Sequence, residues 1–333
     1  MFNPKYTVTN TLLGNIKRIA EIVTELNSRR FPEVVKMEIA RKAREISVFA
    51  STSIEGNPLL LTDVKRILKH APEHVRDSER EVLNYNNALL ELNEQIQSSS
   101  FSFDIPFLEC IQKNVTNGLI QEHRRGKIRT EPVFVNDPRT RNVIFLPPDS
   151  GDVPILVTEL LVFLESNETK IDPLILAGIF HKQFILVHPF VDGNGRTARA
   201  LFYWCMAREG YWMMEYISIS KVIKTSPTAY GKAYLETETD GGDLTYFVLY
   251  QLEVIKRAID ELQVYLRDKQ QGISEAEALL RHNNKLSGKL NFRQLALLRH
   301  ALRHPRFAYR VQEHQNSHGV VYETARRDLI QMS

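Results

Sequence analysis

Residues 184–199 read Phe184-Ile185-Leu186-Val187-His188-Pro189-Phe190-Val191-Asp192-Gly193-Asn194-Gly195-Arg196-Thr197-Ala198-Arg199. An apolar helical pattern over 173–187 runs into a proline and two closely spaced glycines, and a second helical pattern follows over 196–208. The junction is therefore a loop between two helices. Gly193-Asn194-Gly195 can turn several backbone N–H groups toward one point, because glycine adopts dihedrals and permits approaches that bulkier residues resist. With the partial positive end of the following helix, such a nest holds phosphate oxygens. Arg196 and Arg199 stand three residues apart on neighbouring parts of one helical face, where two guanidinium groups can clamp a polyphosphate. Asp192 is suited to carry a magnesium ion between its carboxylate and those phosphates. His188 ends the apolar helix, and near neutral pH its imidazole can accept a hydroxyl proton. Singly, His188 or Asp192 would serve as a helix cap and the arginines as solvated side chains. Together they describe a site for phosphoryl chemistry.

The rest of the chain is mainly α. Ile16, Ile19, Ile22 and Val23 form one helical face, with a break at Phe31-Pro32. Val35, Ile39, Ala43 and Ile46 form another, and Asp63, Val64, Ile67 and Leu68 continue in a further helix. Helical patterns follow over 75–96 and 105–120, separated by serines at 98–100. The runs Val133-Phe134-Val135 and Val143-Ile144-Phe145, divided by polar turn residues, predict a small β-hairpin. Helices are expected again over 154–165 and through most of 216–269, with interruptions at Pro227 and Gly241-Gly242. A polar connection is expected over 270–290, then helices over 292–302, 308–314 and 321–332.

Composition narrows the function classes. The 333 residues are 43% hydrophobic and 25% charged, enough for a sizeable core, and 14 prolines with 15 glycines are too few for a fibrous or disordered chain. A net charge of +3 leaves any nucleic-acid role to a local patch. Cys110 and Cys205 build neither a disulfide framework nor a metal knuckle and are expected to be reduced packing residues. No apolar run is long enough for a membrane span, and the amino terminus lacks an export segment, so a cytoplasmic protein is expected.

The segment 188–199 closely resembles the Fic family signature His-Pro-Phe-x-Asp/Glu-Gly-Asn-Gly-Arg-x-x-Arg, with every fixed position present. The resemblance implies AMP transfer from ATP to a Tyr, Thr or Ser hydroxyl of a protein, with release of pyrophosphate. It assigns His188 as base, Asp192 as the Mg2+ ligand, Gly193, Asn194 and Gly195 as anion cradle, and Arg196 and Arg199 as phosphate contacts. Upstream, Ser51-Thr52-Ser53-Ile54-Glu55-Gly56 resembles the inhibitory pattern Ser/Thr-x-x-x-Glu-Gly/Asn. By that resemblance Ser51, Glu55 and Gly56 belong to an inhibitory helix whose Glu55 pairs with Arg199 and blocks productive placement of the ATP γ-phosphate. The hairpin at 133–145 resembles the target-docking flap, which would register a protein segment by β-addition. Tyr230 and Tyr234 fall where relatives contribute to the nucleotide pocket, although tyrosines four apart also serve as helix packing.

Three regions are expected: an N-terminal helical region over 1–100 carrying the inhibitory motif 51–56, a Fic catalytic core over 101–268, and a winged-helix-like domain over 269–333. That last domain resembles the module found after some Fic domains. It is expected to be incomplete, since no β-wing follows before Ser333. Arg326 and Arg327 would contact DNA phosphates if 322–329 is a recognition helix; packing and protein association are the alternatives. The family resemblance also makes a homodimer and self-modification expectations. De-AMPylation, or a Fic-fold regulatory binding role with little transfer, stand as alternatives to AMP transfer.

Overall fold

A computed structural model of the chain describes residues 2–28, 33–96, 103–136, 142–281, 290–303 and 307–332. The expected break at Phe31-Pro32, the serines at 98–100, the turn at 137–141 and the stretch 282–289 lie outside these described residues. The described helices are α1 (Asn10–Ser28), α2 (Glu33–Ile54), α3 (Leu61–Lys69), α4 (Asp77–Ile96), α5 (Ile105–Val115), α6 (Val153–Asn167), α7 (Pro173–Val187), α8 (Asn194–Arg208), α9 (Ile219–Thr225), α10 (Pro227–Thr239), α11 (Thr245–Arg281), α12 (Phe292–Arg303), α13 (Val311–His318) and α14 (Tyr322–Ile330). Between α5 and α6 lie two short strands, β1 (Val135–Asn136) and β2 (Val143–Phe145), paired antiparallel with Val135 opposite Phe145 and an irregularity after Val135. The described residues are thus mainly α with one antiparallel strand pair.

The chain divides into two compact units, Met1–Ser28 with Ala43–Ala258, and Arg29–Lys42 with Ile259–Ser333. In the first, α7 is the central rod. Asp172 caps it by accepting from the Leu174 N–H (2.9 Å), Pro173 occupies its first turn, and eleven of its fifteen residues are buried. A helix apolar on all sides must be wrapped by others. Helices α6 and α8 pack on it, and α4 and α5 pack on α8. Phe180 and Phe184 of α7, Leu201 and Trp204 of α8, Phe107 and Ile111 of α5 and Val82 and Leu92 of α4 share one continuous core. Phe103 stacks on Trp204 with ring centroids 5.3 Å apart. This packing makes the α7-to-α8 junction a rigid place to mount chemistry. Ile19, Ile22 and Val23 of α1 are buried as their spacing implies.

Several boundaries differ from the sequence expectation, each for a local reason. Helix α4 begins at Asp77 rather than 75, where the Glu79 carboxylate accepts from the Arg76 backbone N–H (2.9 Å). Helix α5 stops at Val115 rather than 120, because the Thr116 hydroxyl donates back to the Gln112 carbonyl (2.8 Å) and Gly118 takes a left-handed φ of 66°. The first strand starts at Val135 instead of Val133. The polar run from Gln270 is not a linker at its start, since α11 continues to Arg281. The helix expected over 308–314 is shifted to Val311–His318, ending only where Gly319 supplies a left-handed cap.

In the second unit Asp328, which directly follows the two arginines singled out in the sequence, is a buried charge. Arg326 and Arg327 are exposed on α14, whereas Asp328 is 2% exposed. Its carboxylate accepts from Asn291 Nδ2 (2.8 Å) and Arg293 Nη2 (3.1 Å) and lies 3.2 Å from His314 Nε2. Burial pushes this carboxyl up, but hydrogen bonds from Arg293, Asn291 and His314 outweigh it and bring it down to about 2. A depressed carboxylate contributes stability that is present above its ordinary value of 3.8 and lost as pH falls toward 2. Asp328→Asn is therefore expected to lower the stability of this unit by about 2 kcal/mol near neutrality, with the difference from the parent shrinking to nothing across that acid window. Thermal melts of both proteins over a pH series check it. A difference independent of pH would contradict it.

Candidate active site

His188 closes α7 in a left-handed conformation (φ 50°, ψ 62°), and among the described residues no other non-glycine residue has positive φ. Such a backbone costs about 1 kcal/mol for a residue with a Cβ and persists only where the surroundings impose it. Here they do. The His188 carbonyl accepts from Arg129 Nε (2.7 Å), and the carbonyl of Pro189 accepts from the Arg129 backbone N–H (2.9 Å). The imidazole Nδ1 lies 3.1 Å from the Ile185 carbonyl. A carbonyl can only accept, so Nδ1 carries the proton and Nε2 keeps its lone pair. Burial pushes the imidazole below its usual 6.5, against a smaller opposing effect of the Ile185 hydrogen bond, which keeps the ring neutral at pH 7.

The loop after His188 is held by its own side chains. Asn194 is buried, donates through Nδ2 to the Phe190 carbonyl (2.7 Å) and accepts at Oδ1 from the Phe190 N–H (3.0 Å). Its amide is thus occupied in shaping the loop, leaving only its backbone for an anion. Gly193 takes φ 79°, and a Cβ there would lie 2.8 Å from Thr116 Cγ2. Gly195 has a different reason to be glycine. A Cβ at that position would stand 2.3 Å from Glu55 Oε1 and 3.1 Å from Arg199 Nη1. The start of α8 is pressed against the Glu55 carboxylate, just past the end of α2.

Arg199, only 2% exposed, is gripped by that helix. Its Nε donates to Ser51 Oγ (2.9 Å), and its Nη2 donates to the Ser51 carbonyl (2.9 Å) and to Glu55 Oε1 (2.7 Å). Glu55 follows directly on Ile54, the last residue of α2, in a turn where Gly56 takes φ 95°. Burial drives the Glu55 carboxyl up, but the Arg199 and Arg196 charges overcome it and hold it below its usual value, so the pair is ionised. Arg196, also buried, pairs with Glu81 of α4 (2.8 Å) and more loosely with Asp192 (3.3 Å). Asp192 accepts in addition from the Gly193 N–H (2.7 Å), with about half of its side chain open to solvent.

Tyr230 and Tyr234 of α10 join a cluster with His181, Phe247 and Tyr250. The Tyr230 hydroxyl lies 3.2 Å from His181 Nε2 and within the influence of the Arg199 charge, and Tyr234 contacts that hydroxyl at 3.1 Å. Burial and the Arg199 charge take His181 down to about 3, so this second histidine is neutral. Three site residues were not singled out in the sequence. Arg129 holds the His188 loop. Gln112, fully buried, donates to the Asp192 carbonyl (3.0 Å) and accepts from the Gly126 N–H (2.6 Å). Glu81 pairs with Arg196. Nothing local distinguishes them, since each acts on residues distant in sequence.

Among the described residues no group of three or more His, Cys, Asp or Glu side chains forms a metal cage. That donor set still fits magnesium, which characteristically takes one carboxylate, waters and the substrate's phosphate oxygens. The half-open Asp192 carboxylate, beside Arg196 and the N-terminus of α8, would be that single ligand.

Residues 102–206, which span the helical rod, the glycine-shaped loop and both buried arginines, match the model of the Fic/DOC family. It is 25% identical over 267 residues to a protein adenylyltransferase Fic from Aedes aegypti and 27% identical over 222 residues to one from Drosophila virilis, covering 74% and 60% of this chain. The matches cover 50% and 43% of those proteins, so the chain spans about half the length of the curated relatives it matches. A Fic family protein from Desulfovibrio desulfuricans G20 superposes with a TM-score of 0.69 over 98% of this chain and 90% of its own, at 22% identity. Fic-1 from C. elegans gives 0.63 over 78% and 73%, at 24% identity. The fold of this chain is that of the Fic proteins. No helix among the described residues is long and apolar enough to cross a membrane.

Proposed function

We propose that the protein is an adenylyltransferase that moves AMP from ATP to a protein hydroxyl, and that Glu55 restrains it. The observation that carries this reading is the assembly at the end of α7: a neutral imidazole with Nε2 free to accept, beside Arg199, whose guanidinium is already engaged by Glu55 at 2.7 Å. In the reaction the target hydroxyl oxygen attacks the α-phosphorus as its proton passes to His188 Nε2. The bond from that phosphorus to the bridging oxygen breaks, and pyrophosphate leaves with the electron pair. The backbone N–H groups at the start of α8, with Arg196 and Arg199, hold the phosphates, and Tyr230 backs Arg199. Magnesium on Asp192 would offset phosphate charge. The hairpin β1–β2 offers strand edges to register the target segment. Ser51 and Glu55 hold Arg199 out of that task until the end of α2 moves.

The position of the retained label tests the reaction type. With magnesium and a lysate, label from α-labelled ATP is expected on protein and label from γ-labelled ATP is expected in pyrophosphate alone. Label retained from the γ position would indicate phosphoryl transfer and overturn the assignment.

A further inference from the structure

The carboxylate that engages Arg199 has a counterpart on the other arginine. Arg196 Nη1 lies 2.8 Å from Glu81 Oε1, and Glu81 is seated in turn by Asn57, whose Nδ2 donates to Glu81 Oε2 (2.6 Å) and to the Ser78 carbonyl (2.9 Å). Asn57 immediately follows Gly56, and its backbone N–H donates to the Thr52 carbonyl (3.1 Å) within the last turns of α2. Two polar relays thus leave one helix end, Ser51 and Glu55 to Arg199, and Asn57 through Glu81 to Arg196. Arg196 Nε is buried and finds no hydrogen-bond partner among the described residues, so its guanidinium is ionically paired yet short of one acceptor.

The charge count favours restraint over support. Glu55, Glu81 and Asp192 place three carboxylates around two guanidinium groups, a poor match for a polyanion. Burial, with Glu55 and Asp192 nearby, pushes the Glu81 carboxyl up against the pull of Arg196 and Asn57.

We propose that Glu81, seated by Asn57, is a positioning residue that keeps Arg196 engaged as Glu55 keeps Arg199, so that the end of α2 restrains both phosphate arginines. This rests on the nucleotide-site reading above and extends it to a second restraint.

Binding of α,β-methylene ATP with magnesium tests it, because this analogue reports the nucleotide site without AMP transfer. Glu55→Gly is compared with Glu55→Gly carrying Glu81→Gln, Asn57→Ala, or both. Glutamine keeps the size and hydrogen-bonding capacity of Glu81 and removes its charge. Each added change is expected to tighten Kd about tenfold, and the two together no further, since Asn57 acts through Glu81. In ATP-dependent transfer the gain is expected in KM rather than kcat. Unchanged or weaker binding, as a purely structural role would give, or additive effects of the two changes, would overturn the proposal. If Glu55→Gly binds the analogue but transfers no AMP, the transferase reading fails while the same titration still decides the second restraint. If none of the variants binds it, both fail.

Discussion

Replacing Glu55 by glycine is expected to raise the rate of AMP transfer by about 10- to 100-fold at subsaturating ATP. The size follows from what the change does to Arg199. That guanidinium is 2% exposed, always charged, and hydrogen-bonded at the end of α2 to Ser51 and to Glu55 just beyond it. Removing one partner of a buried pair costs about 3–5 kcal/mol because the remaining charge is uncompensated. Ser51 still supplies two oxygens, and a third of the Glu55 side chain reaches solvent, so the penalty here falls below that range. An arriving phosphate restores the missing negative partner and recovers part of that cost, which is why affinity for nucleotide should rise as folding stability falls. Nucleotide titration and a thermal melt on the same samples check both signs. A variant that gained activity without losing stability would indicate that Glu55 acts by bulk alone, filling the space that a Cβ on Gly195 would enter.

His188→Ala is expected to lower kcat by about 10²- to 10⁴-fold while nucleotide binding is retained, the range for loss of a positioned general base. Alanine inherits the left-handed backbone, so His188→Gly should relieve about 1 kcal/mol of strain and be the more stable protein at equal inactivity. The pH profile carries a second signature. The base must be unprotonated, and burial holds its pKa below 6.5, so transfer should already be on its plateau at pH 7 and fall only under more acid conditions. A profile still rising above pH 7, or a His188→Ala protein of normal rate, would remove the imidazole from the reaction.

Much of this site was legible because its parts lie close in sequence. Proline, two glycines and two arginines at helical spacing fix the loop, the cradle and the guanidinium face within twelve positions. The upstream motif 51–56 is equally compact, its serine in the last turn of α2 and its glutamate just past the end of that helix. What the sequence could not carry is long-range. Arg129 looks like one more basic residue after a basic stretch, yet it donates to the carbonyls of both His188 and Pro189. Glu81 sits in a polar helix and Asn57 in a turn, and neither has meaning until α4 is packed against α8. Helix ends failed where polarity was mistaken for loop: Gln315, Asn316 and Ser317 stay helical because the terminator is the left-handed Gly319 beyond them.

The most direct measurement is incorporation of label from α-labelled ATP with magnesium by the parent protein, Glu55→Gly, and Glu55→Gly combined with His188→Ala, each alone and with lysate. Restrained AMP transfer predicts weak labelling by the parent, strong labelling by the single variant, and none by the double variant. Equal labelling by all three, or none by folded Glu55→Gly protein that binds ATP, would contradict it.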